Sequence, residues 1–152
     1  MFGLLVEKRA SALRVVGETN VPERNQFSPE VCRVIVRMSQ EVVCEAHGVS
    51  HTDIKDDERR DYRIAHARQT AMYLAHVVGQ LTLNEVALNF NRKRSTVSHG
   101  CIVIEDRRDS PVFDLQMEYM ETRLRERISR FRQEGPIEEE TPPELKTIVG
   151  NY

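Results

Sequence analysis

The sequence predicts an all-α protein: a helical bundle containing a helix-turn-helix, extended by a long C-terminal helix and an acidic tail. Apolar residues recur at steps of three and four along most of the chain, the period of one helix face. Start and stop signals for helices bracket those stretches. Neither an alternating strand pattern nor an internal repeat is evident.

Residues 1–27 form a lead-in that ends at Pro22-Glu23-Arg24-Asn25 and carries no motif. Ser28-Pro29-Glu30 starts a helix, with Ser at the cap, Pro at the first helical position and Glu in the first turn. Val31, Ile35, Met38 and Val42 mark its inner face, and Gly48 suits its left-handed end. Ser50 to Arg60 holds a short helical turn of mixed charge. A second long helix runs from Tyr62 to Val78 on Ile64, Ala67, Ala71, Leu74 and Val78, and Gly79 ends it.

Thr82-Leu83-Asn84-Glu85 matches a capping box and opens a short helix to Phe90. Asn91 interrupts it, since Asn tolerates the left-handed backbone of a tight helix–helix turn. The next helix starts near Arg94-Ser95 and runs to about Arg107, burying Val97, Cys101 and Ile104. Ser110-Pro111 starts the last one, whose stripe is Phe113, Met117, Met120, Leu124, Ile128 and Phe131, until Gly135-Pro136 breaks it. These boundaries divide the chain into a lead-in (1–27), a helix-turn-helix domain (28–108), a C-terminal helix (110–133) and an acidic, disordered tail (134–152).

Composition narrows the function. The chain of 152 residues has the length of one ordinary domain, and 39% apolar with 30% charged residues fits a soluble helical protein. No run of 18 apolar residues exists, which argues against a membrane span. Trp is absent and aromatics make up 6%, which argues against a large aromatic cleft. Three cysteines, an odd count without a C-x-x-C, give no disulfide framework and point to the reducing cytoplasm. The net charge of −2 hides an asymmetry: residues 133–152 hold five Glu and one Lys, while Asn91 to His99 holds Arg92, Lys93 and Arg94 and no acid.

Two short helices joined by a three-residue turn, the second entered through basic and hydroxyl residues, describe a helix-turn-helix. Ala87 is small where the two helices approach, Val97 points to the core, and Arg94, Ser95 and Ser98 face outward near the second helix's N-terminal end. Arg can bond guanine twice in the major groove, and helix N-terminal N–H groups favour phosphate oxygens. Many helical hairpins are only structural, and a short basic block is often a solvated turn.

Residues Val31 to Arg107 resemble the C-terminal DNA-binding domain, domain IV, of the bacterial replication initiator DnaA. The matching stretches are His47-Gly48-Val49-Ser50 with Asp53-Ile54, then Ala67-Arg68-Gln69-Thr70-Ala71-Met72-Tyr73-Leu74, then Ser95-Thr96-Val97-Ser98-His99-Gly100-Cys101 ending in Ile104-Glu105. They cover about half the chain in the family's order and close to its spacing. The resemblance implies a helix-turn-helix in the major groove and a basic loop in the minor groove. It assigns Arg60 to the minor groove and places Arg68 and Gln69 near the phosphate backbone. Lys93, Arg94, Ser95 and Thr96 form the tip that reaches base edges and phosphates, and His99 lies one turn on, at a phosphate. Arg92 beside the tip is a further phosphate candidate.

The departures from the family also matter. The turn before Arg92 is one residue short, and the family's Asp-His pair at the reading tip is Lys93-Arg94 here. The family's DNA box therefore does not carry over; two cations favour a G-rich site or phosphate binding without specificity. Ile102-Val103 replaces a basic pair, so the C-terminal helix is expected to cover it. The initiator's ATPase module has no counterpart, because the chain contains no G-x-x-x-x-G-K-[ST] loop. The expectation is a stand-alone, nucleoid-associated regulator of transcription or replication initiation that binds double-stranded DNA and lacks ATPase activity.

Other readings compete. Arg60 sits in a charge run, Lys55 to Arg63, that also reads as a solvated face, and His99 also reads as a surface histidine. His47, His51 and Cys44 lie close in sequence, but Gly48 interrupts the pair and no fourth ligand is evident, so no metal is expected. Cys101 reads as core, no catalytic arrangement is recognisable, and neither enzyme activity nor a cofactor is expected. The Phe113–Phe131 stripe either completes the bundle or pairs with a second copy in a homodimer. The alternative function is an adaptor that binds the replication initiator, or another replication or transcription protein, through its C-terminal helix.

Overall fold

The computed structural model describes residues 27–56 and 61–135, which form six helices and, among the described residues, no strand. Arg60, the lead-in up to residue 26 and residues 136–152 lie outside the described residues.

Helix α1 spans Pro29–His47, with Ser28 accepting a bond from the Val31 N–H at 3.3 Å and Gly48 closing it at φ 62°. The short α2, His51–Lys55, is capped by Ser50, and α3, Tyr62–Val77, by Asp61. Helix α4 is Leu83–Phe90. Its capping box is reciprocal: the Glu85 N–H donates to Thr82 at 3.1 Å and the Thr82 N–H donates to the Glu85 carboxylate at 2.8 Å. A cap of this kind contributes about 1 kcal/mol. Asn91 then takes the left-handed conformation at φ 53°, and α5 follows at Arg94–Arg107. Helix α6 is Pro111–Glu134.

Helix α3 is the hub, packed between α1 and α5, with α2 and α4 against it as well. Its second half, Thr70 to Ala75, is therefore buried on every side, although the spacing predicts only one apolar face. Helix α1 is similarly sandwiched, between α3 and α4 on one flank and α6 on the other. Its buried set is Cys32, Ile35, Val36, Ser39, Gln40, Val42 and Val43, while the expected Val31 and Met38 are only partly buried. Val78 and Phe113 also pack at the edge of the core rather than within it.

Helix α3 ends just before Gly79, as expected, and Gly79 has a further job there. The positive φ, 59°, belongs to Gln80. A Cβ on Gly79 would come within 2.5 Å of both the Ala75 carbonyl oxygen and the Ile35 side chain, so glycine is needed for the close approach of α1 and α3.

The α6 stripe is covered within the chain. Met117, Met120, Leu124 and Ile128 are buried, with α6 lying along α1. Arg127 bridges Glu41 at 3.2 Å and Glu45 at 2.6 Å across that contact. The expectation that α6 also covers Ile102 fails: Ile102 remains 42% exposed, because α6 packs mainly on α1 and leaves that side of α5 in solvent.

Candidate nucleic-acid interface

The α4–turn–α5 unit presents the basic segment outward. Ala87, 7% exposed, lets α4 and α5 approach, and Val97, fully buried, anchors α5 to the core. The turn is locked by backbone bonds from the Asn91 N–H to Leu88 and from the Arg92 N–H to Ala87, the latter at 2.9 Å. Lys93 is the N-cap of α5 and makes no side-chain cap bond. Lys93, Arg94, Ser95, Thr96 and His99 are exposed, and Arg92 is half-buried. No carboxylate lies in the first turn of α5, so the positive end of the helix dipole and three cationic side chains share one protrusion.

Arg68 and Gln69 sit elsewhere and make identifiable contacts. The Arg68 guanidinium donates to the carbonyls of Ile54 at 2.7 Å and Asp56 at 2.6 Å, tying the end of α2 to α3. Burial lowers its pKa from the ordinary arginine value, with Asp56 opposing the shift. Gln69 faces α5 at Gly100, where a Cβ would lie 3.3 Å from its Cγ. Gly100 is thus a point of close approach between α5 and α3. The sequence reading missed this, although a lone Gly inside a helical stretch is its signal.

A buried polar network fixes the far end of α5. Tyr73 donates to Glu105 at 2.7 Å, and Arg108 donates to the Tyr73 hydroxyl at 3.1 Å. Arg108 also bonds Asp114 at 2.7 Å and pairs with Glu121 of α6. Burial would lower the Arg108 pKa, but its bonds to Glu121 and Asp114 raise it overall. Nearby, His66 accepts from Arg107 at 3.1 Å and packs against His47, Tyr62 and Phe113. Desolvation lowers the pKa of both His47 and His66, keeping the rings neutral.

Catalytic chemistry finds no support in the cysteines. Burial pushes the Cys32 thiol up to about 11 and the Cys101 thiol up to about 12, so both stay protonated at neutral pH. Among the described residues, no group of three His, Cys, Asp or Glu is placed to hold a metal ion, and no helix is long and apolar enough to cross a membrane.

Comparison with known proteins meets this geometry at the same residues. The family described as the bacterial dnaA protein helix-turn-helix matches residues 37–104. Over this stretch, a little under half of the chain, the protein is similar to the bacterial dnaA helix-turn-helix. The chromosomal replication initiator protein DnaA of Thermoanaerobacter sp. (strain X514) is 28% identical over 132 residues, covering 78% of this chain and 30% of that protein. The DnaA of Lachnoclostridium phytofermentans is 40% identical over 75 residues, 48% of this chain and 16% of that protein. A crystal structure of a DNA replication initiation factor superposes with a TM-score of 0.60 at 29% identity, over 65% of this chain and 30% of that one. The chain thus spans less than a third of the length of these relatives. The matched segment contains α2 to α4 whole, most of α1 and most of α5, and it ends before α6.

Proposed function

We propose that this chain reads double-stranded DNA sequence-specifically through its DnaA-type helix-turn-helix, as a nucleoid-associated bacterial regulator of transcription or replication initiation that does not hydrolyse ATP. The observation that carries the reading is the exposed entrance of α5. Lys93, Arg94, Ser95 and Thr96 stand in solvent, and α6 lies away from them along α1. Arg94, Ser95 and Thr96 take base edges or backbone; Arg92, Lys93 and His99 take phosphates. Arg60 takes the minor groove. Arg68 acts from behind, by holding the carbonyls at the start of the segment that carries Arg60.

Selection from random duplexes with the purified chain, followed by salt titration on the selected site, tests the proposal. A single recovered motif and a steep fall of affinity with salt are expected, near −0.9 log units per neutralised phosphate. Failure to enrich any sequence removes the specificity; a flat salt response removes the DNA interface.

One observation favours a second reading, the adaptor. Val112, Leu115 and Tyr119 lie on one exposed side of α6 and are 69%, 67% and 61% exposed. That side is separate from the stripe covered by α1. It would serve a replication or transcription protein, or a second copy in a homodimer, and co-purification with and without a Leu115→Glu change separates it from DNA binding.

A further inference from the structure

A cleft of about 690 Å³ lies between α1, α2 and the α4–α5 turn. Its charged lining is Arg33 and Arg37 from α1 and Lys55 from α2, and no carboxylate is among its described lining residues. Gln40 and Asn91 add amide groups, and His51 contributes a ring kept neutral by desolvation. The sign of the cleft is therefore set by three long, flexible cations.

The position of the cleft decides what it fits. One lining residue, Asn91, leads directly into Arg92, Lys93 and Arg94, the tip assigned above to the major groove. Another lining residue, Lys55, precedes in sequence the segment carrying Arg60, assigned to the minor groove. On a duplex, the sugar-phosphate strand is what separates a major groove from the adjacent minor groove. A protein that reaches into both must cross that strand between them. We infer that this cleft is a seat for the phosphodiester backbone, with Arg33, Arg37 and Lys55 as its phosphate contacts; the inference rests on the DNA-binding reading above.

Arg33 and Arg37 are ion-paired on their own helix, with Glu30 at 3.3 Å and Glu41 at 3.0 Å. Both arginines are well exposed, at 63% and 72% of the side chain, so these pairs are weak and easily exchanged for phosphate. Phosphate contacts of this kind position a protein without reading sequence.

The test compares three variants with the parent chain on the selected duplex and on a scrambled one, across a salt series. The double variant Arg33→Gln/Arg37→Gln changes only solvent-facing groups of α1, and an unchanged melting temperature checks its fold. It is expected to bind both duplexes more weakly by the same factor and to lower the log–log salt slope by about 1.8, the value for two phosphates. Glu30→Gln, which releases Arg33, is expected to tighten binding to both duplexes. Arg94→Ala is expected to lose preference for the selected site while keeping most of its salt slope. If Arg94→Ala behaves so but the double variant and Glu30→Gln both match the parent, the cleft is no backbone seat and the DNA-binding reading stands. If the parent chain itself binds neither duplex, both readings fall together.

Discussion

Replacing Arg108 with Leu probes the junction that joins α3 and α5 to α6. The guanidinium is 6% exposed and serves three oxygens at once: Asp114 at 2.7 Å, the Tyr73 hydroxyl at 3.1 Å, and Glu121. Leucine fills most of the volume but leaves two carboxylates, 18% and 10% exposed, without their cation. Breaking a buried pair from one side costs about 3–5 kcal/mol. Arg125 lies 3.7 Å from Glu121 and offers partial compensation from the surface, which places the expected loss near the lower bound. A loss of about 3 kcal/mol lowers the melting temperature of a domain of roughly 100 residues by about 12–20 °C. Thermal melts followed by circular dichroism at pH 7 read this directly. The triple variant Arg108→Leu/Asp114→Asn/Glu121→Gln removes the orphaned charges and should recover part of the loss. A fall of less than about 2 °C in the single variant, or no recovery in the triple, would show that water already compensates this network.

Four other outcomes are expected. Arg94→Ala should cost about 1–3 kcal/mol on the preferred duplex and relax preference at about one base pair, whereas Arg60→Ala should weaken binding with little change in that preference; competition binding against single-base variants separates the two. Gly79→Ala forces a methyl against Ala75 and Ile35, so it should destabilise by about 1–3 kcal/mol in urea unfolding, and an unchanged midpoint would contradict the close approach. Thr82→Ala breaks one half of the capping box and should cost about 1 kcal/mol by the same assay. Because His47 and His66 have folded pKa values below the ordinary 6.5, the unfolded chain takes up protons first as pH falls; stability is complete above about 6.5 and declines below it toward the folded values. His66→Gln keeps an acceptor for Arg107 and should flatten the melting-temperature decline between pH 7 and 5; an unaltered slope would move the effect away from His66.

What could be read from the sequence was short-range. Ser28-Pro29, the Thr82–Glu85 box, Gly48 and Asn91 act within four residues of themselves, so helix starts, stops and the left-handed turn followed from local chemistry alone. The exposure of the basic residues Lys93 and Arg94 followed too, since they enter a helix whose apolar Val97 turns inward. The tertiary structure decided whatever depends on two elements meeting. Gly79 was legible as a helix stop, but its close approach to Ile35 was not, because Ile35 lies 44 positions away in sequence. The bonds of the Arg68 guanidinium to the Ile54 and Asp56 carbonyls were not legible either, because they form only once α2 and α3 pack. Ile102 read as covered because the stripe gives α6 an inner face without saying which flank of the bundle it takes; α6 packs along α1 and leaves Ile102 exposed. A periodic pattern states that a helix has an inner face; only the packed chain states what that face is turned toward.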